Sequence, residues 1–163
     1  MLQGPGFHRQ LADRMSQACG VPALTDLCGV LAAMQHLDIR KVALATPFAQ
    51  VVNDRIKVYL EAEGIAVTGA SCLGMNKNAD IRRLPISVEY DLARKTYLES
   101  SPRADGIYIA CGSWGSIHNV PRLEQEFGTR VVTWMNAFMW ASMRRRGVKD
   151  RIQGFGKLLG SLA

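Results

Sequence analysis

Short runs of nearly continuous apolar residues, each separated from the next by a segment whose apolar positions recur every three or four residues, constrain this chain more than any other feature. The runs are Lys41–Thr46, Ile65–Ser71, Gly106–Cys111 and Thr129–Thr133. A strand with one face in water alternates apolar and polar residues, whereas a strand covered on both faces need not, and such strands belong to parallel sheets. Strands alternating with helices at this spacing are joined by right-handed crossovers, which place helices on both faces. The expected fold is therefore α/β: a three-layer parallel sheet with helices on both faces. Helices are expected over Phe7–Ala18, from a Thr25-Asp26 cap to Leu37, and over Ala49–Ala62, Ile86–Glu99, Asn119–Phe127 and Asn136–Arg146. Val21–Leu24 reads as one more short strand, and Pro47 as the residue that closes the first long one.

In sheets of this kind ligand groups gather at the carboxyl ends of the strands. Here those ends are Thr46-Pro47-Phe48, Ser71-Cys72, Cys111-Gly112-Ser113 and Thr133-Trp134-Met135-Asn136. Cys111 is the leading candidate for chemistry, because Gly112 and Gly115 let the backbone bend and turn several amide groups toward one small volume. Amides and the start of a following helix lower a thiol pKa, so a thiolate is expected there, and the same donors at Gly112 and Ser113 would hold a carboxylate or enolate oxygen. The Thr46 hydroxyl is a second candidate for an anionic group. Asn53 and Asn78 have bland readings, as a polar residue on a helix and a loop asparagine. Cys19 and Cys28 read as core residues, Cys72 as an unsettled strand-end thiol.

Composition removes several classes. No apolar run approaches the roughly 18 residues needed to span a bilayer, and the first residues lack the pattern of a signal peptide, so no membrane partner and a cytoplasmic location are expected. The cysteines at 19, 28, 72 and 111 form no Cys-x-x-Cys pair and do not cluster with His8, His36 or His118, which argues against zinc and for free thiols. The formal charge of +6 raises the question of nucleic acid. The densest basic run, Arg144-Arg145-Arg146, ends an expected helix, where the dipole favours cations, and no aromatic-interleaved binding motif accompanies it. Neither G-x-G-x-x-G nor G-x-x-x-x-G-K-[ST] is present.

Taken in order, Ala45-Thr46-Pro47-Phe48 with Val52-Asn53, Ala110-Cys111-Gly112, Val131-Val132-Thr133 with Trp140, and Gly154-Phe155-Gly156-Lys157-Leu158-Leu159 resemble the aspartate/glutamate racemase superfamily. The similarity lies with its arylmalonate decarboxylase and maleate cis-trans isomerase branches. The resemblance implies a cofactor-independent enzyme acting on small carboxylates or dicarboxylates, with no metal and no organic cofactor. It also implies an active site between two pseudo-symmetric lobes, and a possible homo-oligomer. Cys111 matches the second-lobe cysteine, which donates a proton in the decarboxylases and assists a first-lobe cysteine in the isomerases. Phe48 stands where these branches usually carry a tyrosine that binds the substrate carboxylate, and Asn78 matches a substrate-contacting asparagine of the isomerases. Gly4-Pro5-Gly6-Phe7 resembles the segment after the first-lobe catalytic loop. The expectation is thus one racemase-like unit over residues 1–163, N-terminally truncated: first-lobe remainder over about 1–40, second lobe over about 41–135, C-terminal helix and tail over about 136–163. The alternative reading is a non-catalytic homologue or an assembly module.

Overall fold

A computed structural model describes residues 4–162. Strand β1 (Lys41–Phe48) is buried along its whole middle, as its unbroken apolar run requires. It lies inside a four-stranded parallel sheet of order β2-β1-β3-β4, where β2 is Ala66–Met75, β3 is Gly106–Ile109 and β4 is Arg130–Thr133. Lys41 pairs with Ala66, Val42 with Gly106, and Gly106 with Arg130, so the strands start level with one another.

The strand period of two divides the core between two layers of helices. Val42, Leu44, Tyr108, Ala110 and Val132 face α2 (Asp26–His36), α3 (Gln50–Ala62), α7 (Trp134–Arg145) and the short α8 (Lys157–Gly160). Ala43, Ala45, Ile107, Ile109 and Val131 face α5 (Ile86–Leu98) and α6 (Val120–Phe127). Helix α1 (Phe7–Cys19) packs beside α2, and the one-turn α4 (Asn78–Ile81) follows β2. The chain leaves β1 toward α3 on one face and leaves β3 toward α6 on the other. That reversal makes the carboxyl ends of β1 and β3 a topological switch point, where a crevice opens.

Local signals explain most boundaries. The Thr25 side chain accepts the Cys28 N–H and starts α2. Thr133 and Asn136 cap α7 reciprocally, so β4 turns into the helix without a loop: the Asn136 N–H donates to Thr133 Oγ1 at 3.1 Å and the Thr133 N–H donates to Asn136 Oδ1 at 2.8 Å.

Several expectations need correcting. Val21–Leu24 forms no strand; the Ala23 N–H donates to Ser16 Oγ at 2.8 Å and its carbonyl accepts from Arg145, so side chains replace ladder bonds. Pro47 lies inside β1, at a register shift between Thr46 and Phe48. Pairing to β3 ends at Ala45, so the missing N–H of Pro47 breaks no ladder bond on that side. Strand β2 runs on to Met75. Cys19 is exposed rather than part of the core; on α1 only His8 and Ala12 are buried, with Met15 39 % exposed.

Candidate functional site at the β1/β3 crevice

The Ala110 N–H still donates to Ala45 O at 3.0 Å, after which Cys111-Gly112-Ser113 leaves the sheet while β1 continues to Phe48. The divergence opens a cavity of about 160 Å³. Phe48, Ile56, Tyr59 and Leu27 form apolar walls, Trp134 and Tyr108 add rings, and Cys111 and Gly112 line the strand-end side. Asp26 is the one carboxylate on the lining, and it is already engaged by Trp134 Nε1 at 3.1 Å and the Leu27 N–H at 2.8 Å. Gly112 approaches the Trp134 ring closely: a Cβ there would stand 3.2 Å from it, so the ring would have to shift.

Cys111 is 4 % exposed, and its Sγ accepts the Ser113 N–H at 3.3 Å. Burial pushes its thiol pKa up, the amides of Ser113 and Trp114 pull it back, and the charge of Glu89 pushes it up again. The expected thiolate is therefore disfavoured in this state. Desolvation outweighs the amides, and α6 begins only at Val120, after a one-turn 3-10 helix over Ser116–His118. Cys111 rests as a thiol.

The sequence-predicted residues separate into three groups. Cys111, Gly112 and Phe48 line one cavity, and Ser113 bonds the sulfur. Thr46 and Asn53 sit behind the cavity wall, both buried, with the Thr46 hydroxyl donating to Asn53 Oδ1 at 3.0 Å. That hydroxyl is committed internally instead of facing an anion. Asn78 is exposed at the start of α4 and does not line the cavity. Cys72 lies half-buried at the sheet edge and donates to Gln50 Oε1 at 3.3 Å.

Sequence reading missed the residues behind Cys111. Glu89 on α5 is fully buried, with Oε1 accepting from Asn119 Nδ2 at 3.2 Å and Oε2 without a partner. Burial raises its pKa to about 7, against a small opposing pull from Asn119. No local signal marks it, because its partner lies in another element and a glutamate on a helix normally reads as a solvated residue. A more open groove of about 370 Å³ between α2 and α7 lies away from the strand ends. The arginines beside it are engaged: Arg144 stacks on Trp140 and Arg145 bonds the Ala23 carbonyl. Among the described residues no three His, Cys, Asp or Glu side chains gather as a metal would need, and no helix is long and apolar enough to cross a membrane.

Comparison with known proteins places this geometry among relatives. The chain is 31 % identical over 157 residues to the arylmalonate decarboxylase of Bordetella bronchiseptica, covering 96 % of this chain and 65 % of that protein. It is 26 % identical over 165 residues to the maleate isomerase of Nocardia farcinica (strain IFM 10152), covering 98 % and 64 %. The chain thus spans less than two thirds of the length of these relatives. A crystal structure of arylmalonate decarboxylase superposes with a TM-score of 0.85 at 30 % identity, covering 96 % of this chain and 68 % of that one. A cysteine-to-serine mutant of the Nocardia farcinica maleate cis-trans isomerase, with a covalently bound succinylcysteine intermediate, superposes with a TM-score of 0.89 at 25 % identity, covering 98 % and 66 %. These relatives share the parallel, helix-covered sheet expected of a racemase-like fold. The family model described as arylmalonate decarboxylase matches residues 1–159, and the chain belongs to that family.

Proposed function

We propose that the crevice at Cys111 binds a small carboxylate and that Cys111 donates a proton to the carbon beside it, in a cofactor-independent decarboxylation. The observation that carries this reading is a buried cysteine, held as a thiol, on the wall of a largely apolar cavity at the switch point of the sheet. When a carboxylate leaves as carbon dioxide, the electron pair of the broken C–C bond passes to an enediolate. The thiol proton then moves to carbon and the sulfur is left as thiolate. The amides of Ser113 and Trp114 stabilise that thiolate as it forms. The cavity walls at Phe48, Leu27 and Ile56 suit an apolar substituent better than a second carboxylate, and Asn78 stands outside. The decarboxylase reading is therefore preferred to the isomerase one.

The test is incubation of the purified chain with phenylmalonate and, separately, with maleate, following products by NMR. Phenylacetate formation that falls at least ~100-fold in Cys111→Ser supports the reading, as expected on losing a proton donor. Fumarate formation would favour the isomerase. No product from a folded chain would favour the non-catalytic homologue or assembly module. We also place the chain in the cytoplasm, and a homo-oligomer rests on the half-buried Phe138 and Met139 of α7; sedimentation as a monomer would remove it. Nucleic acid is not proposed as a partner, since Arg144 and Arg145 have intramolecular roles.

A further inference from the structure

Behind Cys111, on the face of the sheet away from the α3 wall, α5 carries a buried carboxyl group that the proposed chemistry does not use. Glu89 is 0 % exposed on the first full turn of α5. One oxygen is held by Asn119, whose amide also donates to Ile86 O at 2.8 Å, so both ends of the clamp are fixed by backbone and helix. The other oxygen has no partner, and neither do Trp114 Nε1 and Ser116 Oγ, on the segment that follows Cys111 in the chain. A carboxyl buried without a counter-cation is expensive for a fold to keep. Cys111 and Trp114 share the same buried cluster as α5.

We infer that Glu89 is a positioning residue whose carboxylate charge, acting through the protein interior, keeps the proton on Cys111. It rests on the Cys111 proton-donor reading for its use, although the thiol's titration can be measured without turnover. Helix α5 packs on β1, β2, β3 and the turn after Cys111. Of the titratable groups these carry, Lys41 is bound to Asp105 at the far end of β1, Cys72 bonds Gln50, Tyr108 belongs to the opposite face, and His118 is exposed. From α6, Arg122 lies over the Tyr90 ring, Glu124 is held by the Val131 and Lys157 N–H groups at the amino edge of the sheet, and Glu126 is held by Tyr90 and Arg94. Cys111 is left as the group that answers to Glu89, and the Glu89 charge acts on it in the raising direction.

The order of ionisation gives the device its range. Glu89 releases its proton near pH 7, before Cys111, and the new negative charge then opposes loss of the thiol proton. The donor stays charged with its proton further into the alkaline range than burial alone would keep it.

The experiment is iodoacetamide labelling of the full chain across about pH 5.5 to 9.5, with the Cys111 peptide quantified by mass spectrometry. Only thiolate reacts, so the logarithm of the rate reports the thiolate fraction. In the unaltered chain it should rise with unit slope to about pH 7, flatten while Glu89 ionises, and rise again. Glu89→Gln keeps an oxygen for Asn119 and should remove the flat segment, making Cys111 label about three- to tenfold faster at pH 8.5. A straight rise in the unaltered chain, no change in a folded Glu89→Gln, or a Cys111 sealed against labelling at every pH would each overturn the inference. The unaltered chain alone decides it should the variant fail to fold. Phenylmalonate turnover with a straight labelling profile would sink this inference and leave the proposed function standing; a flat segment without turnover would do the reverse.

Discussion

Two glutamates are buried on the same side of the sheet, and they meet opposite fates. Glu124 on α6, 7 % exposed, is filled: Oε1 accepts the Val131 N–H at 3.2 Å and Oε2 accepts the Lys157 N–H at 2.8 Å. Lys157 supplies a neighbouring charge, its Nζ bonding the carbonyls of Gly128 and Thr129. Glu124 thereby ties the start of β4 to the start of α8 at the amino edge of the sheet, far from the crevice. Glu89, at the carboxyl edge, has one amide and an empty oxygen. Burial raises the pKa of both. The difference between them is satisfaction: a carboxylate whose lone pairs find donors is a structural staple, and one left short on a helix that shares a buried cluster with a thiol is available to do something else.

The sharpest way to break the comparison is at Gly156, which holds the staple's far end. Its φ of +92° lies where side chains are strained, and a Cβ would stand 2.3 Å from Val120 Cγ1 and 3.2 Å from Glu124 Oε2. Gly156→Ala should lower stability by about 4 kcal/mol in urea unfolding, from strain and overpacking together. A loss below about 1 kcal/mol would mean that the Glu124 staple tolerates displacement and that its satisfied geometry decides little.

A second test uses pH. The Glu89 carboxyl is neutral in both folded and unfolded chains below about pH 4.5, and above that the unfolded chain ionises first, because the folded pKa is raised to about 7. Stability contributed by the retained proton therefore falls as pH rises from 4.5 toward 7 and levels off beyond it. Across that window the stability difference should move by about 3 kcal/mol in favour of Glu89→Gln. The same exchange at Glu124 turns an acceptor into a donor facing a backbone N–H, and Glu124→Gln should lose about 2 kcal/mol at pH 8. Losses of equal size and sign from both exchanges at pH 8 would erase the distinction.

How much of this was readable beforehand follows the range of the interactions. The unbroken apolar runs of β1 and β3 mark strands covered on both faces, and Thr25 beside Asp26 marks a helix start, because these signals are local. The position of Cys111 at a strand end followed from the same reasoning. Val21–Leu24 failed as a strand because its backbone partners, Ser16 and Arg145, lie on helices that sequence alone does not bring together. The charge state of Cys111 was misread for a related reason: helix starts and amides are visible in a sequence, whereas burial and a carboxylate across the fold are not. Thr46 stands at a strand end and Asn53 on the helix that follows, but sequence does not bring the two together, because whether a hydroxyl faces a cavity or a neighbour depends on a rotamer. Gly156-Lys157 stood out as part of a motif, and only the fold shows that it serves Glu124.

The smallest expected effect extends the comparison to a third buried polar group. Thr46 and Asn53 form a satisfied pair directly behind the crevice, closer to Phe48 in sequence than Glu89 is. Thr46→Val preserves the branched shape and leaves Asn53 Oδ1 without its donor, which should lower stability by about 1 kcal/mol. If satisfaction separates structural from functional groups, this variant leaves the flat segment in the Cys111 labelling profile in place and leaves KM for phenylmalonate within about twofold, a change worth well under 1 kcal/mol. A KM raised about tenfold with stability intact would put the Thr46 hydroxyl on the substrate carboxylate. The pair would then have to open on binding, with Asn53 releasing the hydroxyl that it holds in the free chain, and a satisfied hydrogen bond would no longer mark a residue as structural in this crevice.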